Sequence, residues 1–326
     1  MINFSMKGWK TLKLREIYEL IVQLGKEADP RGSELEKVLE KAHQEERDLP
    51  EDERKYFDRD KLFNPYSDTR ILYGDDNLEV KTILAGIDIE TSEILLADRL
   101  REKGTFVDLI IAHHPEGKAL TGLYEVMKIQ EDVLYNFGVP INIAQGLLTS
   151  RISEVERNLL PLNHNRSIDA AKLLNIPLMC AHTPADNQVQ YFLNKLFTKK
   201  SPDTLGEVVK VLLEVPEYDH AAYMGSGPKI VVGDKKRKAG KIFVDMTGGT
   251  SGSEKAYEKM AMAGIGTVVC MHMDEKHRKE AEKNFINVVI AGHMASDSLG
   301  MNLILDKIEE QGIKVLTCSG LIRVPR

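Results

Sequence analysis

VKTILAGIDIETSEILLADRLREKGTFVDLIIAHHP, running from Val80 to Pro115, is the stretch that decides the fold. Residues 80–87 form an apolar run rich in aliphatic side chains, residues 92–103 carry apolar side chains at helical spacing, and residues 107–112 form a second apolar run. A strand buried on both faces, an amphipathic helix and another such strand make a βαβ unit, which implies parallel pairing. Working outward, residues 141–144, 176–181, 242–246, 267–271, 288–291 and 315–318 are predicted as further strands, with helices between most of them. The expected class is therefore α/β with mainly parallel sheets. No internal repeat of fixed period is visible.

Upstream of this pattern, Leu14, Ile17, Leu20, Ile21 and Leu24 fall at helical spacing. Ser33 and Glu36 make a capping box for a second helix carrying Leu35, Val38, Leu39 and Ala42. Residues 48–68, rich in charge and containing Pro50 and Pro65, read as a linker. The expected division is an N-terminal helical extension with its linker over residues 1–68, and an α/β core over residues 69–326 that can hold a second lobe at about 200–285.

Composition narrows the function classes. The chain has 326 residues, 42% of them apolar, enough for one large or two ordinary cores. A net charge of −6 without a long basic stripe argues against a nucleic-acid groove. The short run Lys235, Lys236, Arg237, Lys238 follows Gly233 and Asp234 and reads as a solvated turn. Cys180, Cys270 and Cys318 form no CxxC pair and sit in apolar runs, as buried thiols in a reducing compartment do. No export signal or membrane-spanning run is visible, so a soluble cytoplasmic protein without membrane or nucleic-acid partners is expected.

Chemistry in open α/β folds collects at the carboxyl ends of strands. His113 and His114 follow one predicted strand directly, His182-Thr-Pro-Ala-Asp186 follows another, and Gly292-His293 with Asp297 follows a third. Adjacent side chains on extended backbone point to opposite sides, so the His-His pair serves two ions more naturally than one. If a helix begins near His293, then His293 and Asp297 share a face one turn apart. Together these imidazoles and carboxylates form a candidate ligand set that suits Zn, Fe, Mn or Co better than Mg or Ca.

These segments resemble the signature segments of the Nif-three-like family (NGG-interacting factor three), also labelled GTP cyclohydrolase one type two homologues. His113-His114-Pro115, His182-Thr183-Pro184-Ala185-Asp186 and Gly292-His293-Met294-Ala295-Ser296-Asp297 carry the resemblance. Asp245-Met-Thr-Gly-Gly-Thr-Ser-Gly252 resembles the family's glycine-rich turn, and His272-Met273-Asp274 with His277 its following loop. The resemblance covers roughly residues 70–326. It implies two related α/β lobes with a dinuclear metal centre in the cleft between them, held by His113, His114, Asp186, His293 and Asp297, and commonly a homohexameric ring. Position 297 is Asp where the family pattern has Glu, which predicts one tight and one weak metal step.

Other residues are weighed more lightly. His182 is expected near the metals as an acid, a base or an orienting group. Gly248, Gly249 and Gly252 can cradle a phosphate, but lack the lysine of a Walker motif, and a routine turn is preferred. Asp274 reads equally as a helix cap, so it stays outside the ligand set with His272 and His277. Asp88 ends the first core strand and is a weak candidate for the cleft. The expected function is a metal-dependent hydrolase acting on a nucleotide-like or cyclic amide substrate, with a non-catalytic metal-binding regulatory or scaffold protein as the alternative.

Overall fold

Strands such as Leu109–Ala112, buried at every position, need helices over both faces of their sheet. The computed structural model describes residues 11–326 and meets this need with two sheets and two helices shared between them. The strands are β1 (Leu12–Lys13), β2 (Ile71–Tyr73), β3 (Glu79–Val80), β4 (Thr82–Gly86), β5 (Leu109–Ala112), β6 (Leu178–Cys180), β7 (Lys229–Val232), β8 (Lys241–Asp245), β9 (Ile265–Cys270), β10 (Asn287–Ile290) and β11 (Lys314–Cys318). One sheet runs β11-β4-β5-β6-β2, parallel except for β2. The other runs β7-β10-β9-β8, parallel except for β7. β1 and β3 pair separately.

The order β4-β5-β6-β2 is matched by β8-β9-β10-β7, so one topology occurs twice, with β11 added to the first sheet. The third parallel strand of each set feeds a long helix, Thr183–Lys200 after β6 and His293–Glu310 after β10. Both helices pack on both sheets. Ala185, Met301, Ile304 and Leu305 join the core containing Ile83, Ile111 and Met179, whereas Val189, Leu193, Ala295 and Leu299 join the core containing Val244, Val269 and Val289. The helices cross closely at Gly300, where a Cβ would lie 2.4 Å from the Ala185 carbonyl oxygen.

Three expectations need correction. Residues 141–144 are not a strand; they open the helix Ile141–Leu159. A four-residue apolar run fits either period, and here Ala144, Leu148 and Val155 continue a buried helical stripe after Pro140, whose fixed φ suits a helix start. Ser33 does not cap the helix Glu34–Asp48, being itself in helical conformation without a side-chain capping bond.

The N-terminal segment is not an appendage either. Leu14, Ile17, Tyr18, Ile21 and Val22, from the helix Leu14–Glu27, are buried in the same cluster as Ile83, Met179 and Ile304. Residues 48–68 contain the fully buried Asn64, Tyr66 and Asp68. Helical spacing reveals that an apolar face exists, but not which surface covers it. Among the described residues, no helix is long and apolar enough to cross a membrane.

Candidate metal centre

The ladder between β4 and β5 continues past the strand ends, and this fixes the histidine pair. The backbone N–H of His113 donates to the Gly86 carbonyl at 2.9 Å and that of His114 to the Ile87 carbonyl at 3.0 Å. Next to them, His182 occupies the N-cap of the helix Thr183–Lys200, with Asp186 in its first turn. Gly292, at φ 117°, makes the sharp exit from β10 that starts the neighbouring helix at His293. His293 and Asp297 then share one helical face, as their spacing predicts.

The five expected ligands and His182 converge. Asp297 Oδ1 lies 3.5 Å from His113 Nε2, which is also 3.5 Å from Asp186 Oδ1. Asp297 Oδ2 lies 3.5 Å from His114 Nε2 and 3.6 Å from His293 Nε2. The two histidines of the pair thus face different oxygens of one carboxylate. The groups able to hold an ion are His113 with Asp186 and Asp297, His114 with His293 and Asp297, and the three imidazoles of His113, His114 and His182.

The chemistry of these donors fits a cation. His113 Nδ1 faces the Ala181 carbonyl at 3.1 Å, His114 Nδ1 faces Asp88 at 2.6 Å, and His182 Nδ1 faces Asp68 at 2.8 Å. Because these oxygens accept, each Nδ1 carries a proton, and Nε2 is the ring atom turned inward, able to ligate once it is deprotonated. His113 Nε2, Asp186 Oδ1 and both Asp297 oxygens are buried without a hydrogen-bond partner. Buried carboxylate and imidazole atoms that converge in this way need positive charge among them, which protons supply in the metal-free chain and a metal ion would supply in their place.

The titration of the cluster reflects this crowding. Burial pushes the Asp186 carboxyl well above the usual range, with the nearby Asp297 charge adding to it. Burial also acts against ionised Asp297, but His113, His114 and His293 outweigh it and hold that carboxyl well below the usual range. At His114, burial opposes protonation, yet Asp297 and Asp88 raise the imidazole to about 9. Burial lowers His293, reinforced by His272.

Asp68 is the residue that sequence reading missed. It appears there as the end of a linker, but it is fully buried, accepting from His182 and, at 2.6 Å, from the Thr183 hydroxyl. Burial raises its pKa, but these bonds and the His182 charge bring it below the usual carboxylate value. No local pattern marks an aspartate whose partner is more than a hundred residues away. Asp88, a weak candidate in the sequence, orients His114. Asp274 caps its helix through the His277 N–H, at 2.9 Å.

The second sheet closes one side of the centre. A cavity of about 70 Å³ is lined by Asp186, His293 and Asp297 on one side and by Asp245, Thr250 and His272 on the other. The His272 and His293 rings lie 4.9 Å apart. The glycine-rich turn is shaped by packing: a Cβ at Gly248 would lie 2.5 Å from Gln130 Cγ, and Gln130 Nε2 donates to the carbonyls of Gly248 and Thr250. Its entry is tied to the helix Thr183–Lys200, whose Asn187 accepts from the Thr247 hydroxyl at 2.7 Å and whose Gln190 accepts from the Met246 N–H at 2.9 Å.

No protein-family model and no curated protein matches this chain. Solved structures do. A NIF3 superfamily protein from Sphaerobacter thermophilus superposes with a TM-score of 0.75 at 24% identity, covering 95% of this chain and 99% of that one. Reduced HcgD from Methanocaldococcus jannaschii superposes with a TM-score of 0.55 at 16% identity, over 95% and 99% of the two chains. Likeness at these identities establishes the fold.

Proposed function

We propose that this chain, which has the fold of the NIF3 superfamily, is a metal-binding protein that takes two divalent transition-metal ions and works as a metal-dependent hydrolase. The observation that carries this reading is the set of buried, unpartnered atoms His113 Nε2, Asp186 Oδ1, Asp297 Oδ1 and Asp297 Oδ2. His113 and Asp186 would hold one ion with Asp297 Oδ1, and His114 and His293 the other with Asp297 Oδ2. Nitrogen and carboxylate donors in this mixture suit Zn, Fe, Mn or Co. Such ions supply Lewis acidity, lowering the pKa of water and polarising the bond under attack.

The chain's own groups provide orientation and proton handling. Ala181, Asp88 and Asp68 fix the three imidazole rings, so the lone pairs stay aimed without conformational search. His182, with Nε2 3.8 Å from Asp186 Oδ2 and lining the cavity, would exchange a proton with a substrate there. Catalysis needs a side of the centre open to substrate, whereas a purely structural site is closed by protein ligands. Here the cavity reaches Asp186 and Asp297, and the His293 side chain is 41% exposed, which favours a hydrolase over a scaffold. About 70 Å³ admits the reacting bond of a nucleotide-like or cyclic amide substrate rather than the whole molecule.

Elemental analysis of the purified chain, with reconstitution by Zn, Mn or Co, tests the reading. Two ions per chain are expected, together with hydrolysis of some member of a panel of cyclic amides and nucleotides. Ala at His113, Asp186 or His293 should lower metal content while circular dichroism stays unchanged. Full retention of metal in all three variants would sink the ligand assignment. A homo-oligomeric assembly belongs to the same proposal and is read by light scattering.

A further inference from the structure

The edges of the two main sheets are not alike. Of their four terminal strands, β2, β7 and β8 each pair with a register shift, whereas β11 pairs with β4 residue for residue over all five positions from Lys314 to Cys318. Bulges, proline and charge are the devices that keep a sheet edge from joining another strand. Lys314 stands at one end of β11, and the following Val315-Leu316-Thr317-Cys318 carries none of them.

The backbone of this edge is open. The Lys314 N–H donates to the Lys81 carbonyl at 2.8 Å, so strand alternation turns the N–H and C=O groups of Val315 and Thr317 away from β4. Among the described residues, no strand pairs with β11 on that side. Leu316 and Cys318 stay half-buried against the core that holds Leu84, Ile94 and Ala97.

The helix Thr91–Glu102, which packs on that same core, carries a matching pattern. With its C-cap Lys103 it presents Glu93, Leu96, Leu100 and Lys103 at spacings of three and four, on one face. That face lies on the β11 side. Leu100 joins the core that Leu316 packs against, and burial pushes the Cys318 thiol up to about 11, with the Glu93 charge adding to it. Leu96 is 43% exposed there. The row reads acid, leucine, leucine, base, an order that complements a copy of itself running antiparallel.

We propose that β11 is the seam of a two-fold dimer, in which the β11 strands of two copies of this chain pair antiparallel about Leu316 and join their sheets. Val315 of each copy then lies opposite Thr317 of the other. These are the residues whose backbone groups face outward, so donors and acceptors are satisfied reciprocally. The two-fold axis stands perpendicular to the joined sheet, so both helices Thr91–Glu102 lie on one side of it and run antiparallel, with Glu93 of one copy toward Lys103 of the other. An extended peptide would pair with the strand but leave Leu96 uncovered, which favours the second copy. The inference rests on the homo-oligomeric part of the reading above and not on the metals.

On the axis, Leu316 opposes its own copy in a non-hydrogen-bonded pair with Cα atoms about 4.5 Å apart, within the span of a disulfide. Leu316→Cys, made in the full chain carrying Cys318→Ser, is expected to give a covalent dimer under mild oxidation. Thr317→Cys, displaced from its copy by about 7 Å along the strands, is expected to give none. Thr317→Pro removes an outward N–H that the chain's own sheet does not use, and should halve the particle mass in light scattering while circular dichroism stays unchanged. If Thr317→Pro does not fold, the contrast between the two cysteine variants decides. An oligomeric wild-type chain whose Leu316→Cys variant links no faster than Thr317→Cys overturns this inference and leaves the functional reading standing. A monomeric wild-type chain overturns both the seam and the homo-oligomer, and leaves the edge to an extended peptide of another protein.

Discussion

Asp297→Glu is the substitution on which the two-ion geometry can be judged. From the sequence, an Asp in place of Glu is shorter by about 1.5 Å and should leave one ion weakly held, so that Glu strengthens it. The distances point the other way. Donors bonded to one ion at about 2.1 Å and near-tetrahedral angles lie about 3.4 Å apart. Asp297 presents Oδ1 at 3.5 Å from His113 and Oδ2 at 3.5 and 3.6 Å from His114 and His293, so both oxygens are already at ligand spacing. An added methylene would overshoot by about 1.5 Å, against a tolerance of about 0.2 Å in metal–ligand bonds. The helix has little room to retreat, since Asp297 is fully buried and Gly300, one turn on, already touches Ala185. Asp297→Glu is therefore expected to weaken both steps by roughly 10- to 100-fold, about 1.4–2.7 kcal/mol each. Chelator-competition calorimetry on metal-free protein measures this, with two similar affinities expected in the wild type. Unequal wild-type steps, with Glu tightening the weaker one, would refute the reasoning.

Three further outcomes follow from the packing and charge. Deleting residues 1–60 strips five buried side chains, Leu14, Ile17, Tyr18, Ile21 and Val22, from the main core. At roughly 1.5–3 kcal/mol each, the loss rivals the whole stability of an ordinary domain, and size-exclusion chromatography should find aggregate; a monodisperse, metallated truncation would contradict it. Gly300→Ala, whose Cβ would meet the Ala185 carbonyl at 2.4 Å, should cost about 3 kcal/mol, and a melting temperature within 2 °C of wild type, read as roughly no change, would show that the helices can separate freely. Metal affinity should rise with pH up to about 9, because in the metal-free chain Asp297 and Asp88, against the effect of burial, keep His114 protonated to that point. The ion must displace this proton, so calorimetric enthalpies at neutral pH should vary with the ionisation enthalpy of the buffer, and buffer-independent enthalpies would count against it.

The strand-end residues could be found from sequence because their placement is local. A buried run such as Leu109–Ala112 specifies a strand, and the next two residues must then stand at its carboxyl end, whatever the rest of the chain does. The i, i+4 spacing of His293 and Asp297 is likewise a property of one helix turn. The repeated topology left no periodic trace for a physical reason. Several helices, from Gly117–Thr121 to Arg166–Leu173, separate β5 from β6, whereas only Glu275–Lys283 separates β9 from β10. Segments of such different length can occupy equivalent places in two sheets without sharing a period.

What surrounds the ligands was decided by tertiary packing alone. Asp68 meets His182 across a sequence separation of 114 residues, and the helix Leu14–Glu27 finds its cover on the sheet and on the helix Thr183–Lys200. Asp245 comes to face the centre because the second sheet is carried there by two long helices crossing at Gly300. Periodicity and strand-end position are set by covalent geometry within a few residues, so the sequence states them directly. The partner of a buried charge or an apolar face is chosen by the packing of the whole chain, and only the folded arrangement makes that choice.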